Sequence, residues 1–398
     1  MLNVLIVLTT ILAGGLLLYP KLANCRVWRA AITPLASIIG SGFLVLGPIL
    51  NASFGQYAPL IMAVLCAVAY AFGAAIRFNI ARLARAATTR SKSEEWLDVI
   101  ASWALAFAYI ISVAYYLNLL GAFTVSLTTF DDPFYAKLIT SAVFTVILVV
   151  GWTRGFSALE RLEQVSVGVK LSIIAGLLFG LGWFFVEKAA LGGLITNPPT
   201  VGGWQAFALT AGLLVTVQGF ETSRYLDEEY SAHIRIRSMQ LAQWTATVIY
   251  MIYILLLSYV FEPSELVLEE TAIIDMMSVI APILPWLLIA AAISAQFSAA
   301  VADTGGSGGL LSELTGKRMS PRNGYTILCV AGMCLTWTMG VFEIISYASR
   351  AFAFYYALQA CIAAKGAFLT DKMHLTGVAF AILGLVGFAI AVFGSAIE

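Results

Sequence analysis

Ile38-Ile39-Gly40-Ser41-Gly42-Phe43-Leu44-Val45-Leu46-Gly47-Pro48 interrupts a long apolar run at its middle. Two glycines flank a serine, and a Gly-Pro pair follows about a turn and a half later. Each Gly costs about 1 kcal/mol against Ala inside a helix, so a helix is weak here. A second weak place lies far along the chain, at Val217-Gln218-Gly219-Phe220-Glu221-Thr222-Ser223-Arg224, where a polar string replaces the surrounding apolar residues.

What these breaks mean depends on their setting. Of the 398 residues, 61% are hydrophobic and 11% charged, mean hydropathy is +0.91, and 22 Lys+Arg balance 22 Asp+Glu. A soluble domain carries roughly 45–50% apolar and about 25% charged residues. A soluble globular enzyme, a disordered chain and a nucleic-acid binder, which needs a basic excess, are therefore excluded. The class that remains is an all-α polytopic membrane protein in contact with the lipid bilayer.

Runs of about 20 apolar residues mark about twelve transmembrane helices: 2–19, 31–50, 57–76, 96–124, 135–152, 165–186, 204–226, 240–261, 277–304, 324–341, 343–364 and 376–396. They are too long and too continuous for a barrel. The first run has no Lys or Arg ahead of it and no A-x-A after it, so it reads as a retained helix and not a signal peptide. Nineteen of the 22 Lys and Arg, from Lys21, Arg26 and Arg29 to Lys365 and Lys372, fall on one side of the alternating spans. Only Lys137 and Lys188 fall on the other, and Arg350 lies inside a span. Such a bias predicts a multi-pass cell-membrane protein with both termini outside the cytoplasm.

The five cysteines form no CxxC pair, and the only two histidines, His233 and His374, lie in connecting segments. No metal site, cofactor or catalytic residue is expected. Irregular backbone at membrane depth survives only where it lines protein or a wet cavity. Two such breaks, five spans apart, point to a small-molecule site between inverted repeats; the plainer reading is that the glycines let helices pack closely. Of the charges that fall within these spans, Lys170, Glu221, Asp303 and Arg350 stand out, and their signs cancel. Each costs at least about 2.5–3.5 kcal/mol unpaired at mid-bilayer, so pairing or function is expected of them, most strongly for Asp303 and Arg350.

The motifs have a common likeness. Ile39-Gly40-Ser41-Gly42-Phe43 followed by Phe54-Gly55-Gln56-Tyr57-Ala58-Pro59 resembles the I-G-S-G-I-F…A-G-P of the amino acid–polyamine–organocation (APC) transporter superfamily. Gly151-Trp152-Thr153-Arg154-Gly155, Lys170, Gln218-Gly219-Phe220-Glu221 and Leu226-Asp227-Glu228-Glu229 are similar to its later motifs, in the same order. The chain departs from the family at Glu229-Tyr230-Ser231-Ala232 and at Gly308-Gly309, which marks a divergent branch.

The resemblance implies a five-plus-five inverted-repeat core of the LeuT type over 31–365, with repeats at about 31–190 and 200–365. One extra helix precedes it in 1–30 and another follows in 366–398; the first is free to pack on the core or on a partner subunit. It implies a secondary active transporter, not an enzyme, that holds an amino acid or related small amine by alternating access where core helices 1 and 6 unwind. The amides of Ser41, Gly42 and Phe43 would face a carboxylate at a half-helix N-terminus. Carbonyls near Ile39 and Gly40, and from Val217 to Gly219, would accept from an ammonium. Tyr115, Tyr116, Gln218, Phe220 and Thr222 would set specificity. Lys170 matches the lysine thought to replace bound sodium in several members, so sodium-independent transport is expected, as an exchanger or coupled to protons through Lys170, Asp303 and Glu221, with Arg350 gating. A receptor, sensor or channel on the same fold is the alternative. An intramembrane protease reading of Gly305-Gly306-Ser307-Gly308 is remote, because both histidines are expected at the wrong depth for its base.

Overall fold

A computed structural model describes residues 1–40, 42–84, 91–153, 157–226, 230–262, 269–370 and 373–395. Described residues form helices and turns with no strand. In order the α-helices are α1 Leu2–Leu17, α2 Pro20–Ala23, α3 Arg26–Ile38, α4 Gly42–Phe54, α5 Ala58–Leu83, α6 Lys92–Val125, α7 Pro133–Thr153, α8 Ser157–Ala190, α9 Gly203–Gly212, α10 Ala232–Leu257, α11 Ala272–Ile280, α12 Leu284–Leu314, α13 Pro321–Thr338, α14 Val341–Phe368 and α15 His374–Phe393. Among the described residues, seven stretches are long and apolar enough to cross a membrane, with Gly42–Leu83 counted as one of them. The apolar α1 is shorter, and the remaining expected spans are divided or more polar.

Helix starts follow local chemistry. At α6, Ser91 N–H donates to the Glu94 carboxylate at 2.9 Å, closing a capping box. At α14, Gly340 N–H donates to the Glu343 carboxylate at 3.0 Å, which lets α13 turn into α14 within two residues. The expected single span 277–304 is two helices instead. Ala281, extended at φ −159° and ψ 131°, divides α11 from α12, because the following Pro282 lacks an N–H and disfavours a helical residue before it. Beyond it α12 runs ten residues further than expected, through Gly305-Gly306-Ser307-Gly308-Gly309. These residues allow close packing: a Cβ on Gly308 would strike the Tyr325 ring of α13, and one on Gly306 would stand 3.3 Å from Tyr109 of α6.

The helix α6 lies at the heart of the molecule, against α12 and α14, and α15 covers α14. On the other side α10 holds α3 and α5, and α8 bridges α12 to α3. The first helix packs on α8, where Gly176 and Gly180 receive Ile6 and Thr10. Two α-helical paths stop in this packed centre. One breaks between Ile38 and Gly42. The other ends at Gly212 and continues as 3₁₀ turns at Leu214–Val217 and Phe220–Tyr225.

Candidate functional site

The two breaks cross in direct contact. Gly42 opens α4 so close to the other strand of chain that a Cβ there would lie 2.5 Å from Thr216 Cα and 2.7 Å from its carbonyl oxygen. Gly219 adopts φ +116°, and a Cβ on it would collide with the Ser37 side chain and stand 2.8 Å from Ile38 N. Glycine is required at both places, by approach at Gly42 and by approach and backbone conformation at Gly219. Ser41 lies outside the described residues.

A broken helix releases carbonyls that must find donors. Tyr250 of α10 answers both breaks with one hydroxyl, 2.9 Å from the Ile38 carbonyl oxygen and 2.7 Å from that of Thr216. Ser349 of α14 splices the second break, accepting from Val215 N–H at 2.8 Å and donating to the Gly212 carbonyl at 2.6 Å. Lys170 of α8, 1% exposed, donates from Nζ to the Ala36 carbonyl at 2.5 Å, in the last turn of α3. Ile39 is the residue that follows α3, buried at φ −87° and ψ 52°, and Gly40 forms the bend.

Aromatic rings close around the crossing. Phe43 lies 4.4 Å from the Tyr253 ring and 5.5 Å from Tyr250. Phe220 stacks on Tyr356 at 5.0 Å, and Tyr115 and Tyr116 of α6 are buried neighbours at 5.4 Å. Gln218 donates from Nε2 to the Tyr116 hydroxyl at 2.7 Å. Glu221 accepts at Oε2 from Gly219 N–H at 3.0 Å and from the Tyr356 hydroxyl at 2.7 Å. Thr222 donates back to the Gly219 carbonyl at 2.7 Å. Gln218 Oε1 and Glu221 Oε1 are buried acceptors with no hydrogen-bond partner among the described residues. A gap of about 10 Å³ lies between Ile38, Val217, Cys66 and Tyr250, room for about one water.

Of the residues singled out from sequence, Ile39, Gly40, Gly42, Phe43, Val217, Gln218, Gly219, Phe220, Glu221, Thr222, Tyr115 and Tyr116 lie at or beside this crossing, and Lys170 reaches its edge through Ala36. Asp303 of α12 is buried and accepts from Ser112 of α6 at 2.5 Å. Arg350 is turned elsewhere: its Nε donates to the Ala391 carbonyl of α15 at 2.8 Å. Sequence reasoning missed Tyr250, Ser349, Tyr356 and Ser112. Their signal was present, since a hydroxyl inside an apolar helix needs a partner, but nothing in sequence says which one.

Known proteins bear on the fold and the family. A family model described as APC superfamily transporter matches residues 20–394. An uncharacterized protein of Aquifex aeolicus (strain VF5) is 42% identical over 390 residues, 96% of this chain and 94% of its own. Among solved structures, Mhp1, a nucleobase-cation-symport-1 family transporter in a closed conformation with bromovinylhydantoin bound, is similar at a TM-score of 0.55 and 14% identity, with 93% of each chain covered. The crossed breaks sit in that fold, and the family match spans nearly the whole chain: this multi-pass membrane protein belongs to the APC superfamily of transporters.

Proposed function

We propose that this transporter carries an amino acid or a related small amine across the cell membrane by alternating access, without sodium, as an exchanger or with protons. The observation that carries the reading is Lys170. Its ammonium is buried and bonded to a carbonyl at the end of the first half-helix, so a fixed cation occupies the kind of place a coupling ion would otherwise take. Asp303 lies on α12, which packs on the lysine's helix, and gives a proton a second carrier.

The substrate would lie at the crossing, with its carboxylate toward the N-terminus of α4 and its ammonium toward Gln218 Oε1 and Glu221 Oε1. Residues 31–190 and 200–365 would then act as the two repeats that rock about the crossing, with 1–30 and 366–398 peripheral. The test is counterflow in proteoliposomes with amino acids and amines, with and without sodium. Sodium-independent exchange in the wild type, and a loss of about tenfold or more in Lys170→Ala, are expected. Sodium-dependent exchange, or wild-type exchange in Lys170→Ala, would overturn the reading.

A second reading is favoured by Tyr250. Its hydroxyl already engages the Ile38 and Thr216 carbonyls, which leaves fewer acceptors for an ammonium. The free Gln218 oxygen and the Phe43 and Phe220 faces suit a planar cyclic amide, the class of molecule bound in Mhp1. Exchange of hydantoins or nucleobases, with none of amino acids, would select it.

A further inference from the structure

The last turn of α15 stops beside the middle of α14. Ala391 lies against Arg350, nine residues into α14 and about 14 Å from its start at 1.5 Å per residue. The final carbonyls of a helix that stops at such depth need donors other than water. Ile390 accepts from Gly394 N–H at 2.9 Å, Ala391 from Arg350 Nε at 2.8 Å, and Gly394 from the Ser346 hydroxyl at 3.4 Å. Arg350 thus meets the negative end of the α15 dipole, which offsets the cost of a cation inside a span.

The residues after α15 cross to α9, the half-helix that leads into the second break. Ser395 N–H donates to the Ala208 carbonyl at 3.0 Å, and the Phe393 ring meets Trp204 edge-on at 5.0 Å. At Gly212, where α9 ends, a Cβ would run into the Ser395 carbonyl oxygen. Gly394 sits between the two parts: a Cβ there would stand 3.3 Å from Arg350 Cγ and 3.4 Å from Gly212 N. Gly377, Gly384 and Gly387 let α15 lie close on α14, against Phe368, Cys361 and Ala357. Ser349, the residue before Arg350, holds Gly212 and Val215 from α14. The half-helix α9 is therefore borne by α14 and α15 together.

We propose that Arg350 is a positioning residue for transport. It holds the last turn of α15 where Gly394 and Ser395 brace α9, so that α9, α14 and α15 move as one body when the crossing opens on the α9 side. Residues 366–398 lie outside the two repeats, yet Gly394 and Ser395 bear on the half-helix that carries Val217 to Gly219 to the crossing. Losing Arg350 frees the Ala391 carbonyl and loosens α9 without touching a residue at the crossing. The role in transport rests on substrate lying at that crossing; the bracing itself does not.

Hydrogen exchange of the purified full chain, read by mass spectrometry, tests the brace without any substrate. Arg350→Leu should speed exchange of the amides in 203–215 by about tenfold. Arg350→Lys should restore part of the protection, and the α1 amides should not change. Ser395→Pro, which removes the N–H given to Ala208, should speed the same amides and serves if Arg350→Leu does not fold. Faster exchange confined to α14 and α15 would leave Arg350 a packing contact, and unchanged exchange in 203–215 would remove the brace; either overturns the proposal. Joint motion is read in proteoliposomes by linking Trp204→Cys to Phe393→Cys with a short bifunctional thiol reagent, with Cys25 and Cys334 replaced by Ser. Counterflow of whichever amino acid, amine, hydantoin or nucleobase the unlinked protein exchanges should survive the link. Its loss would show that α9 slides on α15 during the cycle and would overturn the one-body motion. Should the wild type exchange none of these solutes, the substrate reading fails, and the exchange rates in 203–215 still decide the brace.

Discussion

Gly219 carries two demands that no other residue type meets together. Its φ of +116° lies where a side chain costs about 1–3 kcal/mol, and a Cβ would also strike Ser37 at the end of α3. Gly219→Ala is therefore expected to destabilise the protein by at least about 2 kcal/mol, with transport impaired in whatever fraction folds. A Tm equal to wild type would show that the two breaks do not touch there. Tyr250 tests the same crossing from the side. Tyr250→Phe removes the donor that Ile38 and Thr216 share, and leaving such buried acceptors unmet costs about 1–3 kcal/mol. Unchanged stability to heat would mean that water or substrate normally serves those carbonyls. Neither residue needs a ligand in place for its effect to be read.

The breaks themselves are legible in the residues alone, because glycines and polar residues in the middle of apolar runs are anomalies that composition exposes. The partners that make a broken helix tolerable are not. Tyr250, Ser349 and Lys170 reach across helices far apart in sequence, and helix rotation, which decides whom a side chain meets, is set by packing. The division of α11 from α12 escapes the sequence pattern for a different reason. Apolar content continues through Ala281 and Pro282, so hydropathy hides a proline whose backbone chemistry ends the helix. One tie between elements has a measurable energy. Arg224, in the 3₁₀ turn that follows the second break, donates to Asp98 of α6 at 2.5 Å, with the two side chains 10% and 19% exposed. Arg235 of α10 donates to the Arg224 carbonyl, also at 2.5 Å. Three elements are thus joined at one end of the second broken helix. A double-mutant cycle of Asp98→Asn and Arg224→Gln should give a coupling of about 1–2 kcal/mol in thermal stability. Effects that add to within about 0.5 kcal/mol would reduce the tie to a surface contact. If the tie also closes the path to the site, Asp98→Asn should speed thiol labelling of a Thr222→Cys variant.

At the scale of the whole molecule, the family and the helical fold could be read from composition and from the order of short motifs, whereas orientation rests on charge alone. In the expected alternation of twelve spans, Lys and Arg gather at one end, and that end is expected to face the cytoplasm because translocating them is unfavourable. The cysteines offer a test without new mutations at the site. Cys25 is exposed, between Lys21 and Arg26 on the expected cytoplasmic flank, while Cys66 and Cys329 are buried. Cys334 is exposed too, but on α13, along the wall of an apolar groove. A charged reagent would have to enter hydrocarbon to reach it there. A membrane-impermeant maleimide should therefore label the protein in inside-out vesicles and leave it unlabelled in right-side-out ones, and Cys25→Ser should abolish the signal. Labelling only from the outer face would invert the topology. The charge asymmetry would then need another origin than insertion.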